Sequence, residues 1–159
     1  MQATAAAEIA DFLGAYNGHF TEMCSFLAEK QNKVLADDLV WLHDSLNEEQ
    51  RLVMRGNSIE GKRVEMLERL GFGGYTSSKL IEEAPEEYKG RLRLECVNVE
   101  HSIDRIKALN ADILEAIEKK MAAAEDFLRG KGMQGTDVYD EAGVRVRLGN
   151  PDDGIIGDV

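Results

Sequence analysis

Histidine, cysteine and carboxylate side chains are the residues of this sequence that could hold a metal ion or act as nucleophiles. A di-iron centre between long helices needs a Glu three residues before a His, repeated on two helices. None of His19, His43 and His101 has that neighbour. Cys24 and Cys96 lack the spacing of zinc ligands and have no motif context for a nucleophile. The sequence therefore predicts a protein that is not an enzyme and that binds neither a metal ion nor a cofactor.

Charge and motifs exclude other classes of ligand. The chain lacks the GxxxxGK[ST] motif, and its net charge of −11 would be repelled by a phosphate backbone or an anionic membrane surface. No apolar run reaches the roughly 18 residues that a membrane span requires. The first residues lack the basic start and apolar core of a signal peptide. We expect a cytoplasmic protein with reduced thiols that binds no nucleic acid and does not insert into membranes.

Two features point to binding or packing instead of catalysis. Val40, Trp41 and Leu42 form an apolar run that is wider than one helical stripe can bury, so Trp41 is either part of the core or a surface contact for a partner. Asn110 lies between apolar seam residues, where a polar side chain commonly fixes the register of paired helices. We predict this register-fixing role for Asn110.

A long helix from Glu86 to Arg129 is predicted to carry Cys96, His101 and Asn110. Its apolar residues alternate by steps of four and three, which defines a coiled-coil seam. Pro85 and two glutamates suit its start, and Gly130 suits its end. The seam residues are Leu92, Cys96, Val99, Ile103, Ile106, Asn110, Ile113 and Ile117.

The first half of the chain shows the same periodicity. One stripe runs from Ile9 to Val34, and a second, shifted in phase, includes Leu39, Leu46, Val53 and Leu67. The change of phase near Asp37 fits either a new helix capped there or a stutter in a continuous one. We favour one nearly continuous helix with a kink, and regard Gly56 as a second weak point.

A glycine cluster at 71–74 is expected to stop this helix. A short helix over Ser78–Ala84 should follow, with the long helix after Pro85, so that Leu39–Leu70 and Leu92–Leu128 are antiparallel neighbours. The predicted fold is all-α: an elongated antiparallel hairpin or bundle of long coiled-coil helices with a short connecting helix. Residues 1–130 would form the helical domain, and 131–159, which are rich in glycine, a flexible C-terminal tail ordered only by a partner.

Several segments together resemble the FlgN-like flagellar export chaperones of the hook–filament junction proteins. They are AEKQNKVLADDLVWLHDSLNEEQRLVMR from residue 28, EMLERLGFGGYTSSKLIEEAPEE from residue 65, IKALNADILEAI from residue 106, and DVYDEAG, which is similar to a Tyr-Gly motif after the last helix of that family. The ordered succession, with the glycine turn and short helix before the long one, carries more of the resemblance than any single segment.

This resemblance implies a cytoplasmic, non-enzymatic chaperone that binds the terminal helical segment of hook-associated proteins, prevents their premature assembly and delivers them to the type III export gate. It implies that Tyr139 docks on the cytoplasmic part of the gate. The expected cargo contacts are apolar residues of the tail and of the last helical turns: Met121, Leu128, Val138, Val144, Val146 and Leu148. The alternative is a structural coiled coil that self-associates, for example as a homodimer, without an export role.

Overall fold

The computed structural model describes residues 1–131, 138–139 and 145–146. Its helices are α1 (Ala3–Leu35), α2 (Leu39–Asp44), α3 (Leu46–Arg69), α4 (Ser77–Glu83) and α5 (Glu86–Gly130), followed by the two-residue strands β1 (Val138–Tyr139) and β2 (Arg145–Val146). These residues belong to two compact units, Met1–Ile117 and Glu118–Val159. The predicted all-α helical bundle is confirmed. No helix in the described part of the chain is long and apolar enough to cross a membrane.

Within the first unit, polar contacts fix the directions of the three long helices. Contacts between α1 and α3 join the start of one helix to the end of the other: Glu8–Arg69, Tyr16–Glu60, Glu22–Arg55 and Lys30–Glu49. Contacts between α1 and α5 rise together in residue number: Asp11–Arg91, Asn17–Glu95 and Gln31–Asp112. Therefore α3 runs antiparallel to α1, whereas α5 runs parallel to α1 and antiparallel to α3. The direction predicted for α3 and α5 is correct, but the antiparallel partner that α3 contacts is α1.

The chain reverses at Asp37, so the prediction of one nearly continuous helix from Thr4 to Leu70 is wrong. Asp37 has a φ of +57°, the left-handed conformation that ends a helix. Asp38 then caps α2, because its carboxylate accepts a hydrogen bond from the Trp41 backbone N–H (3.0 Å) and pairs with Lys33 (2.9 Å). The predicted change of phase therefore marks a turn between two antiparallel helices. At Gly56, by contrast, α3 continues unbroken.

The glycine turn and the short helix are where the sequence places them. Gly71 and Gly74 adopt positive φ values of +84° and +74°, which explains why glycine stands at both positions. The Thr76 hydroxyl accepts a hydrogen bond from the Lys79 backbone N–H (3.3 Å) and caps α4. Two buried clusters hold the first unit together, one around Ile9, Met66, Leu67, Leu80 and Leu92, and the other around Leu27, Val34 and Ile113.

The apolar stripe predicted for residues 39–70 is misplaced in α2 and at the start of α3. Leu39, Leu46 and Val53 are exposed (73%, 56% and 49%), whereas Leu52 is buried (1%). The inward face of α3 passes instead through polar or small positions: Glu49, Gly56, Glu60 and Arg63. The interface between α1 and α3 is accordingly polar in its middle.

Candidate binding surfaces

The candidate binding surfaces of this bundle are apolar. The part of the chain that the structure describes contains no cluster of three or more His, Cys, Asp or Glu that could hold a metal ion. One such surface in the first unit is a cleft of about 460 Å³, which we call the bundle cleft. Helix α1 forms its floor with Ile9, Phe12 and Tyr16. Met66 of α3 and Ile103 of α5 belong to its two walls.

Aromatic rings form a continuous row along the floor. Phe12, Tyr16 and Phe20 follow one another at intervals of one helical turn, and their ring centroids are 6.0 and 4.5 Å apart. All three side chains are half-buried. Because residues at i and i+4 lie on one face of a helix, the row presents one aromatic ridge along α1. Phe12 and Tyr16 lie in the bundle cleft itself.

A hydrogen-bonded triad lines the α3 side of the cleft. The Tyr16 hydroxyl donates to Glu60 Oε2 (3.0 Å), and the Arg63 guanidinium donates two hydrogen bonds of 2.8 Å to the same carboxylate. Burial, reinforced by the hydrogen bond to Glu60, raises the pKa of Tyr16 to about 12. The hydrogen bonds from Arg63 lower the pKa of Glu60. The triad therefore keeps a fixed polar edge whose charges are matched within the protein.

The α5 side of the cleft also carries an acidic residue, Glu100. Glu100 is exposed and makes no ion pair with the described residues. One turn earlier, the Cys96 thiol is half-buried, and burial raises its pKa. The cleft thus has an apolar interior with an unmatched carboxylate on one wall.

His19 is buried at the contact between α1 and α3. Only 1% of the residue is exposed, and its Nδ1 has no hydrogen-bond partner among the described residues. Gly56 makes this position available: a Cβ at residue 56 would lie 2.9 Å from His19 Nε2. The absence of a side chain at Gly56 was visible in the sequence, but its partner on α1 was not.

Protonation of His19 should weaken the bundle. Burial lowers the pKa of His19, and Arg55 of α3 lowers it further. Glu22 opposes this effect, and Arg51 of α3 adds a weaker lowering. The unfolded chain therefore takes up a proton near pH 6.5 while the folded chain does not. We expect the free energy of unfolding to be constant above that pH and to fall below it, by up to about 1.4 kcal/mol per pH unit.

This pH dependence can be measured by urea unfolding between about pH 7.5 and 5, above the range in which ordinary carboxylates titrate. His19→Gln should flatten the profile. A wild-type profile that is flat in this range would show that the buried imidazole does not govern acid stability.

The apolar run around Trp41 is divided between core and surface. Trp41 is half-buried, with its ring centroid 5.8 Å from that of Phe26 and the Lys33 ammonium 5.8 Å from the ring. Leu39 and Val40 are each 73% exposed. Trp41 therefore packs on α1 and retains an open edge, and its role as a partner contact stays a prediction.

Asn110 is exposed and lies outside the buried clusters of the first unit. The neighbouring Leu109 packs against the second buried cluster instead, together with Ile106 and Ala116. The reason is the drift of a 3.6-residue helix against a 3.5-residue repeat, which rotates Asn110 outward. The register-fixing role of Asn110 stays a prediction.

The predicted cargo contacts on the last turns of α5 lie at the surface of the second unit. Met121 is 60% exposed and Leu128 is 47% exposed. They are seven residues apart, with the exposed Ala124 between them on the same helical face. Phe127, also exposed (62%), lies on a different face, where the Lys131 ammonium is 5.2 Å from its ring.

The predicted tail contacts are only partly within the described residues. Val138 and Tyr139 form β1, and Val146 lies in β2; the antiparallel register pairs Val138 with Val146 and Tyr139 with Arg145. Val144 and Leu148 lie outside the described residues, and so does most of the segment predicted to be a flexible tail.

No protein-family model, curated protein or solved structure matches this chain. Membership of the FlgN-like chaperone family, and the function that it implies, therefore stay predictions.

Proposed function

We propose that this chain is a non-enzymatic chaperone that binds an amphipathic helix of a partner protein on the last turns of α5. The observation that supports this function best is the exposure of Met121 and Leu128, two large apolar side chains on one face of a helix. Water-exposed apolar surface of this kind gains free energy when another apolar face covers it. An amphipathic helix supplies such a face with matching spacing.

The nature of the partner comes from the resemblance. We propose that the cargo is the helical terminal segment of a hook-associated flagellar protein, which the chaperone keeps soluble and unassembled in the cytoplasm. Residues 138–148 would complete the cargo site, and Tyr139 would dock on the cytoplasmic part of the export gate. The acidic chain, with a net charge of −11, fits a protein that remains soluble while it presents apolar surface.

A structural module that self-associates is the second candidate. Exposed Leu94 and Leu114 on the part of α5 that belongs to the first unit favour it (59% and 57% exposed). A second copy could cover such residues in the same way as a cargo helix. The two functions differ in stoichiometry, because self-association depends on the concentration of this chain alone.

A charge placed on the proposed cargo face tests the function. We expect Met121→Lys to weaken binding of a hook-associated terminal peptide by about tenfold or more, since the loss of a buried apolar contact and the burial of an ammonium both oppose binding. Ala123→Lys is the matched control. It introduces the same charge, and residue 123 is exposed on the opposite side of α5. Isothermal titration calorimetry gives both affinities.

Equal affinities for the two variants would contradict the proposed location of the cargo site. A wild-type chain that binds no such peptide but forms dimers in sedimentation equilibrium would favour the self-association module.

A further inference from the structure

We propose that the bundle cleft is a second helix-binding site, which takes the apolar anchor residues of an amphipathic helix that carries a basic side chain opposite Glu100. This site goes beyond the proposed cargo contacts, since all of its residues belong to the first unit. It would recognise a partner by chemistry: large apolar side chains at one-turn spacing, flanked by lysine or arginine.

The arrangement of the long helices leaves space for such an occupant. Helix α1 forms the floor. Helices α3 and α5, which run antiparallel to each other, lie along its two sides, and side chains of both line the cleft. A fourth helix laid in this groove would complete a four-helix arrangement, which is the usual way in which three such helices bury their remaining apolar faces. Leu80 of α4 and Tyr75, just before α4, contribute the rest of the lining.

The aromatic row gives the cleft a spacing that an incoming helix can match. Phe12 and Tyr16 repeat at one helical turn along the floor, about 6 Å along the axis of α1. Side chains at i and i+4 of an amphipathic helix have the same separation. Large apolar side chains would therefore sit beside successive rings and fill the volume of about 460 Å³ with dry contacts.

Charge determines which helix fits. On the α3 wall, Glu60 is already matched by Arg63, with hydrogen bonds of 2.8 Å. On the α5 wall, Glu100 has no ion pair with the described residues. An occupant that brings a cation to this wall gains a charge pair, whereas one that brings an anion meets repulsion. Glu100 thus favours a basic amphipathic helix over an acidic one.

A designed peptide tests this assignment without knowledge of the natural partner. The probe is a synthetic amphipathic peptide of about 18 residues, long enough to form a helix when bound, with Leu and Phe on one face and Lys beside it. A second peptide has Glu in place of Lys. Titration calorimetry measures affinity, and protection of the Cys96 thiol from alkylation reports occupancy of the cleft, since Cys96 lines it.

We expect the Lys peptide to bind and to protect Cys96, and the Glu peptide to bind more weakly. Glu100→Lys should weaken binding of the Lys peptide by about fivefold or more, because an attraction becomes a repulsion. Glu29→Lys makes the same change in net charge at an exposed position outside the cleft and should have a smaller effect.

Three results would overturn the assignment. They are no binding of the Lys peptide, binding that leaves Cys96 reactive, and equal effects of Glu100→Lys and Glu29→Lys. Binding without Cys96 protection that is abolished by Met121→Lys would assign the peptide to the end of α5, which separates a failure of this inference from a failure of the proposed function.

Discussion

Replacing Leu92 by Ala is expected to lower the free energy of unfolding by about 2–5 kcal/mol. The side chain is 1% exposed and belongs to the buried cluster that joins Ile9, Met66, Leu67 and Leu80. Its removal leaves a cavity at the point where α5 begins to pack on the rest of the bundle. For a domain with a total stability of about 5–15 kcal/mol, this is a large fraction, and it should be evident in urea or thermal unfolding.

Leu94→Ala is the matched control, two residues further along the same helix. Leu94 is 59% exposed, so its truncation should change stability by no more than about 0.5 kcal/mol. The comparison tests which face of α5 is buried. Equal losses for the two variants would mean that the orientation of α5 in the bundle is wrong.

Gly56→Ala is expected to destabilise the bundle although alanine is the better helix former. A Cβ at this position would lie 2.9 Å from His19 Nε2, and His19 is enclosed beside Phe20, with ring centroids 5.8 Å apart. Overpacking of this kind costs about 1–3 kcal/mol, which outweighs the gain of up to about 1 kcal/mol from helix propensity. Thermal unfolding monitored by circular dichroism measures the difference.

Gly61→Ala provides the control, because a Cβ there meets no atom within 4 Å and α3 is continuous through both residues. It should stabilise the protein by up to about 1 kcal/mol. In a His19→Ala background, Gly56→Ala should become stabilising as well, since the clashing ring is gone. A Gly56→Ala variant that is as stable as Gly61→Ala in the wild-type background would refute the close contact.

The ends of the helices could be predicted from the sequence because local residues determine them. The predicted long helix from Glu86 to Arg129 agrees with α5 to one residue, and the predicted short helix agrees with α4 to one residue at each end. Proline, glycine and capping residues act over a few positions of the chain. Their effects therefore do not depend on what the rest of the chain does.

The reversal at Asp37 could not be predicted with the same security. A stutter and a turn both shift the phase of an apolar stripe, and only the left-handed conformation of Asp37 distinguishes them. The inward face of α3 was obscured for a related reason. It carries Glu49, Gly56 and Glu60. Their partners Lys30, His19 and Tyr16 lie on α1, far away in the sequence.

The candidate sites also divide into one that the sequence suggests and one that depends on contacts between distant segments. Exposure of Met121 and Leu128 is consistent with the cargo contacts that the sequence suggested, because nothing in the described chain covers that face of α5. The bundle cleft was not predicted, since it requires the reversal that brings α3 alongside α1. One signal was present: Phe12, Tyr16 and Phe20 repeat at four-residue intervals, which is unusual in a chain with only 6% aromatic residues.

Formation of a complex with cargo tests the central claim most directly. The full chain is mixed with the helical terminal segment of a hook-associated protein, and the mass of the species in solution is measured by sedimentation velocity together with the heat of mixing. We predict a complex of one chain with one segment, which is lost when Met121 and Leu128 are both replaced by Lys. Absence of any complex, or a species that contains only copies of this chain, would contradict the proposal that it is an export chaperone.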